Sequence, residues 1–476
     1  MVKLLTETAQ GFSFVCNFAG LAKTPWLSAR ALAHKYIQFD LPIWEKKIAQ
    51  KQGKKLIDFV SGFKSGEYIP KKHYTEEETK YVYLSVGCFS GDEITLEEST
   101  YLQDNAGAKY ESLKLNQGDL VVTRSGTVGL WHLFNSSNDK CYIPSHHLSF
   151  TSISDPNIRI FLKYYLNSKY ILSYIQAYST GKSQKEINNW SIKRIPVPTA
   201  VAFGSVVPEI NSLEHKITQT KRKIELLQDV IDDVLIANHI KNDRFKPILQ
   251  EVFANRFVDI GKNTFMRVGA QYHAFYVVHN SLLFDSVPSV VPTRKLGTRL
   301  RLCKKRVLKK GPLDDFYILL DLDQLEPRSG KILSEDNIVT EIGSDKILLG
   351  DSDIVTSKMR PYLAYVFIND KEKNYIVSTE LLPFKLLDNT INLQYLKYLL
   401  LSYDYIQKSK LLMYGKEHPR IHQKDLLSFH IPVPQHPIQE KIIAEIQQRE
   451  NKSYQYKQEI KALRAQIDEI IYRAIA

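Results

Sequence analysis

The chain has little sulfur: four cysteines and four methionines in 476 residues. Cys16, Cys88, Cys141 and Cys303 stand far apart with no CxxC pair, which excludes the usual zinc spacing and a disulfide framework. Reduced thiols in a cytoplasmic protein are expected. No apolar run approaches the roughly 20 residues that cross a bilayer. The opening MVKLLTETAQGFSFVCNFAG lacks the basic–apolar–cleavage order of an export signal. Low-complexity tracts are also missing, and 43% hydrophobic residues argue for packed cores rather than disorder.

Catalytic signatures are missing too. Gly181-Lys182-Ser183 looks like the end of a phosphate-binding loop, but Gln176 stands where that motif needs glycine. There is no glycine-rich dinucleotide fingerprint, no (D/N)PP(Y/F) tetrapeptide of amino-methyltransferases and no HExxH. His146-His147 is an isolated doublet of the packing or surface kind. Asp321–Asp323 and Asp351–Asp353 could chelate magnesium in a nuclease, although paired acids near strands are commoner as turn formers. The expectation is a chain that is not an enzyme by itself and holds neither metal nor cofactor.

What the chain does have is positive charge and a long repeat. Its formal net charge is +12, which suits a polyanionic partner such as DNA or a plain basic surface; charge alone does not decide. IPVP occurs at Ile195–Pro198 and again at Ile431–Pro434, an offset of 236. Around it, GDLVVTRSG (Gly118–Gly126) aligns with SDIVTSKMR (Ser352–Arg360) at 234, and Gly181 falls on Gly415 at 234. FLKYYLNS (Phe161–Ser168) lies on YLKYLLLS (Tyr395–Ser402) at the same distance, and YIPSHHLSF (Tyr142–Phe150) on YIVSTELLPF (Tyr375–Phe384) at 233 to 234. Upstream, Tyr36 and Phe39 fall on Tyr272 and Phe275 at 236. One nearly constant offset indicates a tandem duplication with halves near 1–240 and 241–476. So long a period is no solenoid.

Each half reads as α+β: short β-branched strands at Leu120–Val122, Tyr81–Val86, Ile354–Thr356 and Tyr317–Leu322, interrupted by helices over Ile158–Ala177 and Leu393–Lys408. IPVP then forms an extended strap, because proline fixes φ and biases its predecessor away from helix. A long amphipathic helix follows. Its seam in the first half is Ile210, Leu213, Ile217, Ile224, Leu227, Ile231 and Val234, with Thr220 in the gap, Pro208 in the first turn and Asn238 at the stop. The second starts near Pro437 and carries Ile460, Leu463, Ile467 and Ile470, with polar Arg449 and Ser453 at earlier seam positions. Mutual pairing of the two helices is expected over ordinary packing against the domains. The boundaries are 1–204 and 241–435 for the globular domains, and 205–240 and 436–476 for the helices.

This order, with the GDLVVTRSGT stretch (Gly118–Thr127), its partner SDIVTSKMRPY (Ser352–Tyr362), the glycine loops ahead of each IPVP and the two helices, resembles the DNA-specificity subunit of type I restriction–modification systems. The resemblance spans nearly the whole chain. It departs in the leader before Lys54 and in the polar second seam. It implies two α+β target-recognition domains, each reading one half of a bipartite double-stranded DNA target. Two antiparallel coiled-coil helices would set the unread spacer and dock two methyltransferase subunits. S-adenosylmethionine then belongs to the methyltransferase, ATP and magnesium to the motor–nuclease subunits, and none to this chain. Recognition needs cations and hydroxyls near DNA. The candidate residues are Arg124, Ser125 and Thr127 with Lys358 and Arg360 at the strand turns. The glycine loops add Lys182, Ser183, Gln184 and Lys185, then Lys416, His418, Arg420 and His422. The strand turns are equally readable as structural. Lys304-Lys305-Arg306 and Lys309-Lys310 read as solvated charge. The rival readings are the specificity subunit of a two-component restriction–methylation enzyme, a duplicated coiled-coil scaffold, and a stand-alone nuclease.

Overall fold

The computed structural model describes residues 54–244 and 282–475, except 90–92, 97–98, 137–138, 182–184, 199–202, 286, 305 and 416. The leader before Lys54 and the Tyr36/Tyr272 match lie outside the described residues. Two compact units result: Met1–Thr220 with Glu459–Ala476, and Lys221–Gln458. These divide the chain within its helices, whereas the boundaries expected from sequence follow the ends of elements.

In the first unit a four-stranded antiparallel sheet runs in the order Phe63–Ser65, Leu148–Thr151, Leu120–Thr123, Trp131–Leu133. Leu120–Thr123 is one of its two inner strands, buried throughout, with Val121 opposite Phe150. β-branched residues suit a strand packed on both faces. A second sheet holds Tyr81–Leu84 parallel to Cys141–Pro144. The second unit repeats both features. Leu300–Leu302, Leu381–Leu386, Ile354–Ser357 and Val366–Ile368 make the four-stranded sheet, and Gly311–Leu320 lies parallel to Tyr375–Ser378 in a five-stranded one. The IPVP segments are strands: Pro196–Val197 pairs with Lys54–Lys55, and His430–Pro432 with Thr293–Lys295.

The longer helices are α1 (Pro156–Leu166), α2 (Lys169–Tyr178), α3 (Phe203–Lys221), α4 (Leu227–Ala237), α5 (Leu393–Leu399), α6 (Tyr403–Leu411) and α7 (His436–Ile475). Each helical stretch expected ahead of a strap is therefore two helices. Asn167 ends α1 by donating to the Lys163 and Trp131 carbonyls, and Ser402 restarts the chain as α6 by accepting the Tyr405 N–H at 3.2 Å.

The first long helix is also not continuous. It breaks between α3 and α4 over residues 222–226, and Pro208 sits inside α3 rather than in its first turn. No glycine or proline lies at the break. Its polar groups are instead met by α7: the Glu225 N–H donates to Ser453 Oγ at 3.3 Å, and Arg449 binds the Glu225 carboxylate and Asp233. The polar residues in the second seam thus face the gap in the first. Asn238 closes α4, its side chain donating to the Val234 carbonyl and to Glu445.

Within the first unit α3 and the end of α7 run antiparallel, with Glu209 beside Arg473 and Thr220 beside Glu459. Ile210, Leu213, Ile217, Ile460, Leu463, Ile467 and Ile470 are buried. In the second unit Ile231 and Val234 of α4 join Ile442 and Ile446 of α7 in a core shared with Tyr395 and Leu399 of α5. Ile224 and Leu227, at the break, are half-buried. Among the described residues no helix is long and apolar enough to cross a membrane.

Candidate nucleic-acid interface

Three chain segments meet at the end of one inner strand of each four-stranded sheet. In the first unit the Arg124 N–H donates to the His147 carbonyl at 2.8 Å, and the Ile187 N–H donates to the Arg124 carbonyl at 3.0 Å. The glycine loop is thereby held to the strand turn. It is closed by paired backbone bonds, each 2.8 Å, between Thr180 and Glu186. In the second unit the Lys358 N–H donates to the Glu380 carbonyl at 3.0 Å and the Ile421 N–H to the Lys358 carbonyl at 2.9 Å. The backbone junction is the same in both.

The side chains at the junction differ. In the first, Arg124 reaches Glu186 at 3.0 Å and also donates to the Ile187 carbonyl and Ser65 Oγ. Ser125 Oγ lies 2.5 Å from His147 Nδ1, and burial, with His146 beside it, pushes the His147 pKa down. In the second, Glu380 stands where His147 was and Arg420 where Glu186 was. Arg420 binds Glu380 through two bonds of 3.0 Å, with Lys358 at 3.9 Å, and the Arg420 bonds hold the Glu380 carboxyl below its ordinary value. The first unit pairs a strand-turn cation with an acid on the loop, whereas the second gathers a turn cation and a loop cation around one acid.

A third difference lies one turn further. Gly126 has φ +73°, a left-handed conformation that costs glycine little. Its counterpart is Arg360 at φ +46°, with its N–H on the Pro419 carbonyl at 2.7 Å. A long side chain in that region is a strained choice, and strain of this kind gathers at functional positions.

Of the residues picked from sequence, Arg124, Lys358 and Arg420 are engaged in ion pairs within their own unit. Thr127, Lys185, Arg360 and His418 are exposed at the junctions. Ser125 is buried, and His422 stacks on Tyr414 with ring centroids 4.1 Å apart. Lys182, Ser183, Gln184 and Lys416 lie outside the described residues. Sequence reasoning missed His147, Glu186 and Glu380; the signal for the first and last was the 233-residue offset that superposes them. Asp321, Asp351 and Asp353 each face a lysine: Lys346, Lys385 and Lys371. Among the described residues no group of three or more histidines, cysteines or acids is placed to hold a metal.

Residues 329–463, which contain the whole second junction, match the family model described as type I restriction modification DNA specificity domain. The match covers the second unit's strand turn and glycine loop and does not reach the first unit's junction. No curated protein matches the chain. Solved structures similar to it include the type I restriction–modification S subunit of M. genitalium, at 15% identity over 89% of this chain and 95% of that one, TM-score 0.37. Another, from work on complex assembly and conformational transition of the type I system, matches at 15% over 89% and 97%, TM-score 0.38. The HsdS subunit of Thermoanaerobacter tengcongensis matches at 14% over 89% and 96%, TM-score 0.30. Arg360, Arg420 and Glu380 lie within the matched stretch, and the junction of the first unit repeats their backbone setting outside it.

Proposed function

We propose that the chain is the DNA-recognition subunit of a type I restriction–modification enzyme, reading two different half-sequences with its two units. The observation that carries this is the junction built twice on one backbone pattern with different side chains: Arg124, Ser125, Gly126, His147 and Glu186 in one, Lys358, Met359, Arg360, Glu380 and Arg420 in the other. A shared scaffold with unlike side chains is what reading two unlike sequences requires, because base identity is read by side chains at base edges. Exposed Lys185, Thr127, Arg360 and His418 are the groups we assign to DNA. Arg124, Lys358 and Arg420 hold the turn and loop in position. In the same reading α3, α4 and α7 set the length of the unread gap and dock two methyltransferase subunits, which bring S-adenosylmethionine; motor–nuclease subunits with ATP and magnesium complete the assembly. The chain itself supplies no catalytic group.

The test is selection from a randomised duplex pool by the full chain assembled with its methyltransferase subunits. Two short blocks at a constant gap are expected among the recovered duplexes. One continuous block, or no enrichment, contradicts the proposal.

A further inference from the structure

The two sheets of the second unit leave an open cleft of about 550 Å³ between them. Its charged lining residues are mostly basic: Arg301, Lys304, Arg306 and Lys385 against a single acid, Asp351. That acid is already taken, since Lys385 donates to the Asp351 carboxylate at 2.9 Å and to its carbonyl at 2.8 Å. Arg301, Lys304 and Arg306 are exposed and have no ion-pair partner among the described residues. Arg301 stands directly opposite Lys385 in the pairing of Leu300–Leu302 with Leu381–Leu386, so both emerge on one face. Cys303 lies in the same wall, half-buried, and burial raises its thiol pKa.

Resting on the proposed function, we propose that this cleft is a phosphate-binding site that grips the DNA backbone beside the second half-site. Three uncompensated cations converging on an open cleft match a chain of phosphodiesters, whose neutralisation releases counterions. Place in the fold argues for flanking DNA. The cleft lies at the Lys385 end of strand Leu381–Leu386 and the junction at its Leu381 end. Four residues of strand separate them by about 14 Å. Along a duplex that is about four base pairs at 3.4 Å per step. The site would therefore extend the footprint past the bases read, adding affinity without sequence information.

The test compares the full chain, assembled with methyltransferase subunits, with a variant carrying Arg301→Gln and Lys304→Gln. Binding to one recognised duplex is followed from low to moderate salt, together with the rate of Cys303 alkylation. The expected results are a slope of log affinity against log salt reduced by about 2, at roughly 0.9 per phosphate contact, and an unchanged recognised sequence. Duplex DNA should slow Cys303 alkylation in the parent, and inorganic phosphate at the same phosphate concentration should not. An unchanged salt slope overturns the inference while leaving the recognition role intact. Equal protection by inorganic phosphate assigns the cleft to a free phosphate compound and overturns the backbone assignment. A parent assembly that binds no duplex at all removes the proposed function itself.

Discussion

At the scale of single residues the most informative position is Arg360. The chain tolerates a left-handed arginine where the first unit uses glycine, and the side chain is exposed with no partner among the described residues. The backbone is held by the Pro419 carbonyl, but a strained position that spends a long cationic side chain on no hydrogen bond or ion pair among the described residues points to an external contact for that side chain. Arg360→Gly separates the two effects. It relaxes the backbone, so unfolding stability should hold within about 1 kcal/mol or rise, while affinity for the recognised duplex should fall by about 1–3 kcal/mol. Urea unfolding and duplex titration of the same preparation check both. Loss of stability together with affinity would make the arginine structural. The ion pairs nearby carry a second lesson. Arg124 at its strand turn and Arg420 in its glycine loop both read from sequence as DNA-facing cations, yet one closes on Glu186 and the other on Glu380. The acids lie about 40 to 60 residues away in sequence, which is why spacing alone did not reveal them.

At the scale of elements, the break between α3 and α4 is where the seam pattern misleads. Ile224 and Leu227 keep the spacing of threes and fours, and RKIEL at 222–226 contains no helix breaker. The break is decided across the interface, by Arg449 and Ser453 on α7. Seam periodicity marks an apolar face, and Ile210, Leu213 and Ile217 are buried; it does not report where a partner supplies polar groups to an opened turn. The inner strands Leu120–Thr123 and Ile354–Ser357 were legible because β-branched runs bounded by turns have few alternatives. The division of each pre-strap helix was not, since Ser168 and Ser402 sit inside an otherwise helical pattern. Ser453→Leu tests the break. It completes the apolar seam but leaves the Glu225 N–H without its acceptor, a loss of about 1 kcal/mol or more in chemical unfolding. A stabilised variant would mean the break is incidental to the packing.

At the scale of the whole molecule, one 40-residue helix, α7, contributes His436–Gln458 to one compact unit and its remainder to the other. α3 and α4 divide between the units at the same place, Thr220 and Lys221. In the proposed reading these helices set the gap between the two half-sequences, at about 1.5 Å of helix per residue. Two half-sequences and one helical gauge form the central claim, and the most direct measurement maps adenine methylation across genomic DNA in cells expressing this chain with its methyltransferase. The parent is compared with a variant carrying two residues inserted after Thr220 and two opposite, before Glu459. The account predicts a split motif in the parent, and in the variant the same two half-sequences with a longer gap. A changed half-sequence, an unchanged gap, or a stable complex that methylates no defined motif would contradict it.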